Sequence, residues 1–335
     1  MKLIISSFTA LLFSGAFLSA QMPGMVTMQR ASSSQGTTLG ANTTSGAAGI
    51  ALGNRVVMRG YVDFQFEHTD DESNDKEDFE TSADIDFLFD FSPVTAEVHI
   101  NTDTDNVELE QAFGRYALNR DFNISFGRQL TALGYESDEN TGLKSVSHAY
   151  RSGITRNYVD GVRANFNNGQ FGFTVGMHDN YFTSGKDLSQ EKIAIDLAAS
   201  MMIIPGLEAQ LGYATQDIDE KDDLSQFNAW IAYNSNDLTL AFEYNDADKI
   251  DGDYWNMLLL ANYQVNDFFG ATVKYSHENT EKTASEEDID RFTFALLFTI
   301  TQNLMFNVEY SHAAVDSGSS DYDVDEFYLQ GLLTF

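Results

Sequence analysis

From Arg55 onward the chain alternates apolar and polar side chains with a period of two. Val56, Met58, Val62, Phe64 and Phe66 take one set of positions; Arg59, Tyr61, Asp63, Gln65 and Glu67 take the other. Phe79, Ala83, Ile85, Phe87, Phe89 and Phe91 then oppose Glu80, Ser82, Asp84, Asp86 and Asp90. Ile193, Ile195, Leu197 and Met201 oppose Lys192, Asp196 and Ser200, and Phe292, Phe294, Leu296, Phe298 and Ile300 oppose Arg291, Thr293 and Thr299. Successive side chains of a strand point to opposite faces, so the pattern predicts strands with one apolar and one polar face. Sixteen segments qualify: 55–67, 79–91, 94–103, 108–118, 121–128, 157–167, 170–178, 190–203, 206–216, 226–234, 237–245, 253–264, 267–277, 290–300, 303–312 and 325–335.

The connections alternate as well. One set is short and nearly uncharged, including Ser92-Pro93, Asn119-Arg120, Asn168-Gly169, Pro205 and Thr301-Gln302. The other is long and acidic: 68–78, 217–225, 278–289 and 313–324. Tight turns on one side and long loops on the other predict an all-β transmembrane antiparallel barrel of about 16 strands. A soluble sandwich places long loops without regard to parity. The longest apolar run, Met257–Ala261, is far below the roughly 20 residues of a spanning helix.

Charge and composition narrow the classes further. The 51 acidic side chains outnumber 19 basic ones, for a net charge of −32, and such a surface repels nucleic acid. There is no cysteine, which removes disulfides, thiolate chemistry and lipoprotein processing. Aromatic side chains make up 13% of the 335 residues, too many for a disordered acidic chain. Residues 1–20 (MKLIISSFTALLFSGAFLSA) carry Lys2, a short apolar run and Ala20, the pattern of a cleaved signal peptide. Residues 21–54 are rich in Ser, Thr, Gly and Ala and read as a flexible leader. The barrel is then 55–335, in the bacterial outer membrane after export through the periplasm.

Enzymatic signatures are missing. No Walker, H-E-x-x-H or G-x-S-x-G motif occurs, and the six histidines lack metal-ligand spacing, so no cofactor or metal is expected. Ser147-His148, Ser276-His277 and Ser311-His312 are sequence neighbours and would point to opposite faces of a strand. Asp246, Asp248, Asp251 and Gly252 resemble a calcium loop, but the third Asp and the Gly come one place late and Met257 stands where a bidentate Glu is wanted. It reads as one more acidic loop.

The longest connection, 129–157, is the third on the long side. It opens Gly127-Arg128-Gln129-Leu130-Thr131-Ala132-Leu133-Gly134-Tyr135-Glu136. This resembles the Gly-Lys/Arg-x-x-Thr-Pro-x-Gly-x-Glu segment of the outer-membrane β-barrel porins, a family related to the general and phosphate-selective 16-stranded porins. Gly161-Val162-Arg163 is similar to the family's following strand, and Ala132 replaces its usual Pro. The resemblance implies a channel, trimeric in the family, whose third external loop folds inward and narrows the pore.

Seven of the nineteen basic residues fall nearby: Arg115, Arg120, Arg128, Lys144, Arg151, Arg156 and Arg163. With Glu136, Asp138 and Glu139 they place Arg128, Arg151, Arg156 and Arg163 as candidates for a charged constriction. Arg128 shares parity with Phe122, Ile124 and Phe126 and faces out unless its strand has already ended, whereas Arg163 faces in. Inward parity gives ten acids (Asp63, Glu67, Asp84, Asp86, Asp90, Glu97, Asp196, Glu208, Glu243 and Glu309) against five bases (Arg59, Arg163, Lys192, Lys274 and Arg291). The expected function is passive diffusion of small hydrophilic solutes or ions with mild cation preference. A structural or adhesive barrel with a plugged lumen, and an outer-membrane hydrolase, are the alternatives. Expected partners are outer-membrane lipid and lipopolysaccharide, the barrel assembly machinery, which would read Phe335 in the closing strand, and two further copies of the chain.

Overall fold

The computed structural model describes residues 49–71, 75–150, 154, 157–182, 191–218, 224–282, 285–318 and 320–335. The expected signal peptide, the leader up to residue 48, Arg151 and Arg156 lie outside them. A two-residue strand, β1 (Ile50–Ala51), precedes sixteen long ones. These are β2 (Val56–Asp70), β3 (Asp75–Phe91), β4 (Val94–Thr102), β5 (Val107–Ala117), β6 (Phe122–Leu130), β7 (Tyr158–Asn167), β8 (Phe171–His178) and β9 (Glu191–Ile204). They continue as β10 (Leu207–Ile218), β11 (Leu224–Asn234), β12 (Leu238–Lys249), β13 (Gly252–Gln264), β14 (Phe269–Lys282), β15 (Ser285–Thr299), β16 (Leu304–Asp316) and β17 (Asp321–Thr334).

Each of β2–β17 pairs antiparallel with its sequence neighbours, and β17 returns to β2 in register from Thr334↔Tyr61 to Asp325↔Asp70. The sixteen strands therefore close into a barrel with no free edge, the arrangement in which a sheet satisfies its own backbone groups within lipid. Closure continues past the end of β17. Phe335 exchanges two 3.0 Å backbone hydrogen bonds with Gly60, and β1 then covers Val57 and Met58 of β2.

All sixteen predicted segments are strands, but many extend further. β3 begins at Asp75, β12 runs to Lys249, β14 to Lys282 and β16 to Asp316. Much of the sequence expected as acidic loops 278–289 and 313–324 is paired hairpin arm. Apolar alternation marks the height of the lipid-facing band, whereas ladder hydrogen bonds need no apolar residues and continue beyond it. The calcium-like Asp246 and Asp248 likewise sit within β12, and Asp251 accepts a 2.6 Å hydrogen bond from the Tyr254 hydroxyl.

The short turns are stabilised by their own side chains. Asn119, Asn168 and Asn266 each accept two backbone N–H bonds through Oδ1, as Asx turns do. Pro205-Gly206 has φ of +86° at the glycine, the second central position of a tight turn that a side chain would strain. Outward positions are exposed and apolar, as at Leu211 (60%) and Phe292 (59%), while inward positions are polar and buried.

Candidate lumenal constriction

The connection between β6 and β7 lies against the inward face of much of the wall. Its backbone N–H groups donate to wall carboxylates and amides: Tyr135 to Glu243 (2.7 Å), Gly134 to Asn228 (3.2 Å), and Val146 and Ser147 to Glu309 (2.5 and 3.2 Å). Its carbonyls accept from Gln210 (Ala132, 3.1 Å), Lys274 (Ser147, 2.6 Å) and Ser276 (Ala149, 2.7 Å), and Arg163 donates to Leu130 at the end of β6 (2.9 Å). Asn140 donates to Asp63 at 2.6 Å and Tyr61 to Glu139 at 3.1 Å, tying the segment to β2 on the opposite side. Non-helical backbone at this depth is tolerated because every such bond is made to protein.

Apolar packing supports the same placement. Leu133 and Ala132 pack with Ala194, Ala198, Ala214 and Val159, and Ala149 with Trp230, Ala232, Ala241 and Leu258. Alanines on the inward faces of β9–β12 make room for the segment. At Gly212 a Cβ would lie 2.7 Å from Leu133 Cγ, so the glycine permits the closest approach. Tyr135 packs against Trp230 with ring centroids 5.5 Å apart and the planes tilted by 59°. Between the segment and β11–β12 a cavity of about 150 Å³ is lined by Tyr135, Glu136, Asp138, His148, Tyr150 and Glu243, among others.

Five inward bases of the wall are each paired with an acid, whereas Lys249, at the end of β12, lies over the Tyr254 ring. Arg59 meets Asp86 (3.3 Å), Arg115 meets Glu97 (3.3 Å), Lys274 meets Glu136 (3.3 Å), and Arg291 meets Glu326. Arg163 lies 3.2 Å from Asp196, which also accepts from His178 at 2.9 Å, and all three are fully buried beneath the segment. Arg163 is thus not an open counter-charge to Glu136 across an eyelet, as the sequence reading expected. Arg128 departs from that expectation too. It faces outward, between Asp160 (3.5 Å) and Glu108 (3.9 Å), because parity continues through Gln129 and Leu130 of β6. Asp138 accepts a hydrogen bond from the Tyr158 hydroxyl and stays with the segment.

Wall acids outnumber these bases, and Glu243 and Glu309 spend their charge on the segment's N–H groups. Glu278 and Glu326 also prove inward and buried; continuing the parity of β14 into the expected loop would have found Glu278, and the parity of the predicted strand 325–335 already placed Glu326 opposite Phe327 and Leu329. Glu110 had no such signal. It is the extra residue of a bulge, since His99 pairs with Gln111 and Ile100 with Leu109. Nor did sequence spacing bring together Asp84 of β3, His99 of β4 and Glu139, whose donor atoms lie within 4.8 Å of one another. Burial, then the neighbouring Glu110, Asp86 and Asp138 carboxylates, push the Glu139 carboxyl up to about 8.

The family described as "Putative beta-barrel porin-2, OmpL-like" matches residues 88–330, most of the barrel. The chain belongs to this porin family. Among solved structures, the porin resembles Salmonella typhi OmpF in complex with daunomycin at 13% identity and a TM-score of 0.66, over 84% of this chain and 98% of that one. An anion-selective porin from Comamonas acidovorans matches at 11% identity and 0.60, over 84% and 99%. The trimer form of in-vitro folded Vibrio cholerae OmpT matches at 12% and 0.58, over 84% and 100%. At these identities the likeness is one of fold. No curated protein matches the porin's sequence.

Proposed function

We propose that this porin is a restrictive outer-membrane diffusion channel for small hydrophilic solutes, with mild cation preference, narrowed by the connection between β6 and β7. The observation that carries the reading is the lumenal charge pairing: Arg59, Arg115, Arg163, Lys274 and Arg291 are each matched to a carboxylate, and further carboxylates remain. Surplus negative charge in a narrow, low-dielectric passage favours cations. Of the arginines near the connection, Arg115 and Arg163 are neutralised by Glu97 and Asp196 and Arg128 faces outward, so none of the three offers an open charge to an anion. The apolar outer band suits contact with lipid and lipopolysaccharide, and the trimeric neighbour supports a homotrimer.

A plugged structural barrel is the second reading, favoured by burial so complete that Asp84, Asp86, Arg163, Asp196 and Glu309 are all 0% exposed. Planar-bilayer recording under a KCl gradient separates the two. Discrete steps with a cation-selective reversal potential are expected. Absence of steps supports the plug, and an anion-selective potential means that bases outside these pairs govern the passage.

A further inference from the structure

Buried charges are found paired or bound to metals, because desolvation otherwise drives them to neutralise. Where β3, β4 and the inward segment meet, that balance is missing. Five carboxylates (Asp84, Asp86, Glu97, Glu110 and Glu139) face the guanidinium groups of Arg59 and Arg115 and the ring of His99. Asp86 and Glu97 hold the guanidiniums and flank His99, at 2.7 Å from Nδ1 and 3.2 Å from Nε2. Asp84 has nothing comparable. It is 0% exposed, no base or N–H group reaches either of its oxygens, and its polar neighbours are the carboxyls of Asp86 and Glu110. Glu139, 5% exposed, uses Oε2 for Tyr61 and leaves Oε1 buried without a partner, as is Glu110 Oε2.

We infer that Asp84, His99 and Glu139 form a site for one divalent cation that fastens the β6–β7 connection to the barrel wall. Their donor atoms fall within 4.8 Å of one another, a spread that an ion at roughly 2.0–2.3 Å from each donor closes with a small shift. Two carboxylates and an imidazole favour a borderline ion such as Zn²⁺ or Mn²⁺ over Ca²⁺, which takes oxygen donors alone. The Asp86 carboxylate on Nδ1 supplies the outer-sphere contact that orients an imidazole ligand, and Nε2 would exchange its 3.2 Å contact with Glu97 for the ion. A dication also offsets most of the local carboxylate surplus. The site bridges distant parts of the chain, because Asp84 and His99 belong to the wall and Glu139 to the inward segment.

The test is binding, measured on the full chain folded in detergent, stripped with chelator and dialysed against micromolar ZnCl₂, MnCl₂ or CaCl₂. One Zn²⁺ or Mn²⁺ per chain is expected. Asp84→Asn, Glu139→Gln and His99→Gln should each weaken retention by roughly 10- to 100-fold or more, the scale of perturbed metal sites. Heat-modifiable migration and strand circular dichroism establish that each variant keeps its barrel, and Glu139→Gln, outside the strands, guards against a folding artefact. The inference is overturned by no retained ion, by variants that bind as the parent does, or by a Ca²⁺ site indifferent to His99→Gln. Conduction does not enter the readout, so this result and the channel reading stand or fall separately.

Discussion

At the scale of single residues, the lumenal acids divide into those that hold bases and those that hold backbone. Glu309 accepts from Val146 N, Ser147 N and Ser147 Oγ while 0% exposed. Hydrogen bonds to a charged group are worth roughly 1.5–3 kcal/mol each when buried. Glu309→Gln keeps the shape and removes the charge, so the segment around Ser147 should loosen. Limited proteolysis is expected to cut the variant within 140–150 faster than the parent, with noisier single-channel current. Arg163 behaves oppositely to a pore charge. Arg163→Gln leaves Asp196 buried with only His178 and the Ala132 backbone N–H, and breaking such a pair costs roughly 3–5 kcal/mol. A lower unfolding midpoint in denaturant is expected, and an unchanged midpoint with shifted ion selectivity would mean that Arg163 reaches the passage.

At the scale of elements, the decisive piece is the connection between β6 and β7, which meets inward faces from β2 around to β16. Removing residues 140–148 deletes the Asn140, Val146 and Ser147 anchors and leaves both strands intact. Higher conductance and passage of larger solutes are expected in liposome swelling, and equal conductance would place the segment outside the permeation path. Gly212→Val should act in the same direction with smaller amplitude, since even a Cβ sits 2.7 Å from Leu133 Cγ. Hairpin arms carry less weight: the paired acids of β14–β15 and β16–β17 rise past the apolar band, where trimming them leaves the ladder below unbroken.

At the scale of the whole molecule, net charge and lumenal charge act over different ranges. The chain carries −32, much of it on the long-side hairpins, and exposed charges farther than about 8 Å from an ion are largely screened at physiological salt. Lumenal carboxylates in the narrowed passage are screened less. Cation preference should therefore persist at high KCl and strengthen on dilution as the external acids join in. Reversal potentials across a salt series check this; preference that vanishes at high salt would assign the selectivity to the outer hairpins alone.

Strand number, closure and the inward or outward sense of most strand residues, the bulged Glu110 excepted, were legible in the sequence, because period two is a local property and one lipid-facing side forces alternation. Phe64, Leu211 and Phe292 on one face, and Asp84, Asp196 and Glu243 on the other, needed no partner to be assigned. Strand ends past the membrane band were not legible, since pairing there leaves no hydropathy signal. Pairing among lumenal side chains was decided by tertiary structure alone. Parity says that Arg163 and Asp196 both face inward, but only the adjacent positions of β7, β8 and β9 bring them to 3.2 Å. The meeting of Asp84, His99 and Glu139 is the extreme case. A two-strand register and the fold of a long connection must both be in place before the three donors share one volume, and neither is written in any local spacing.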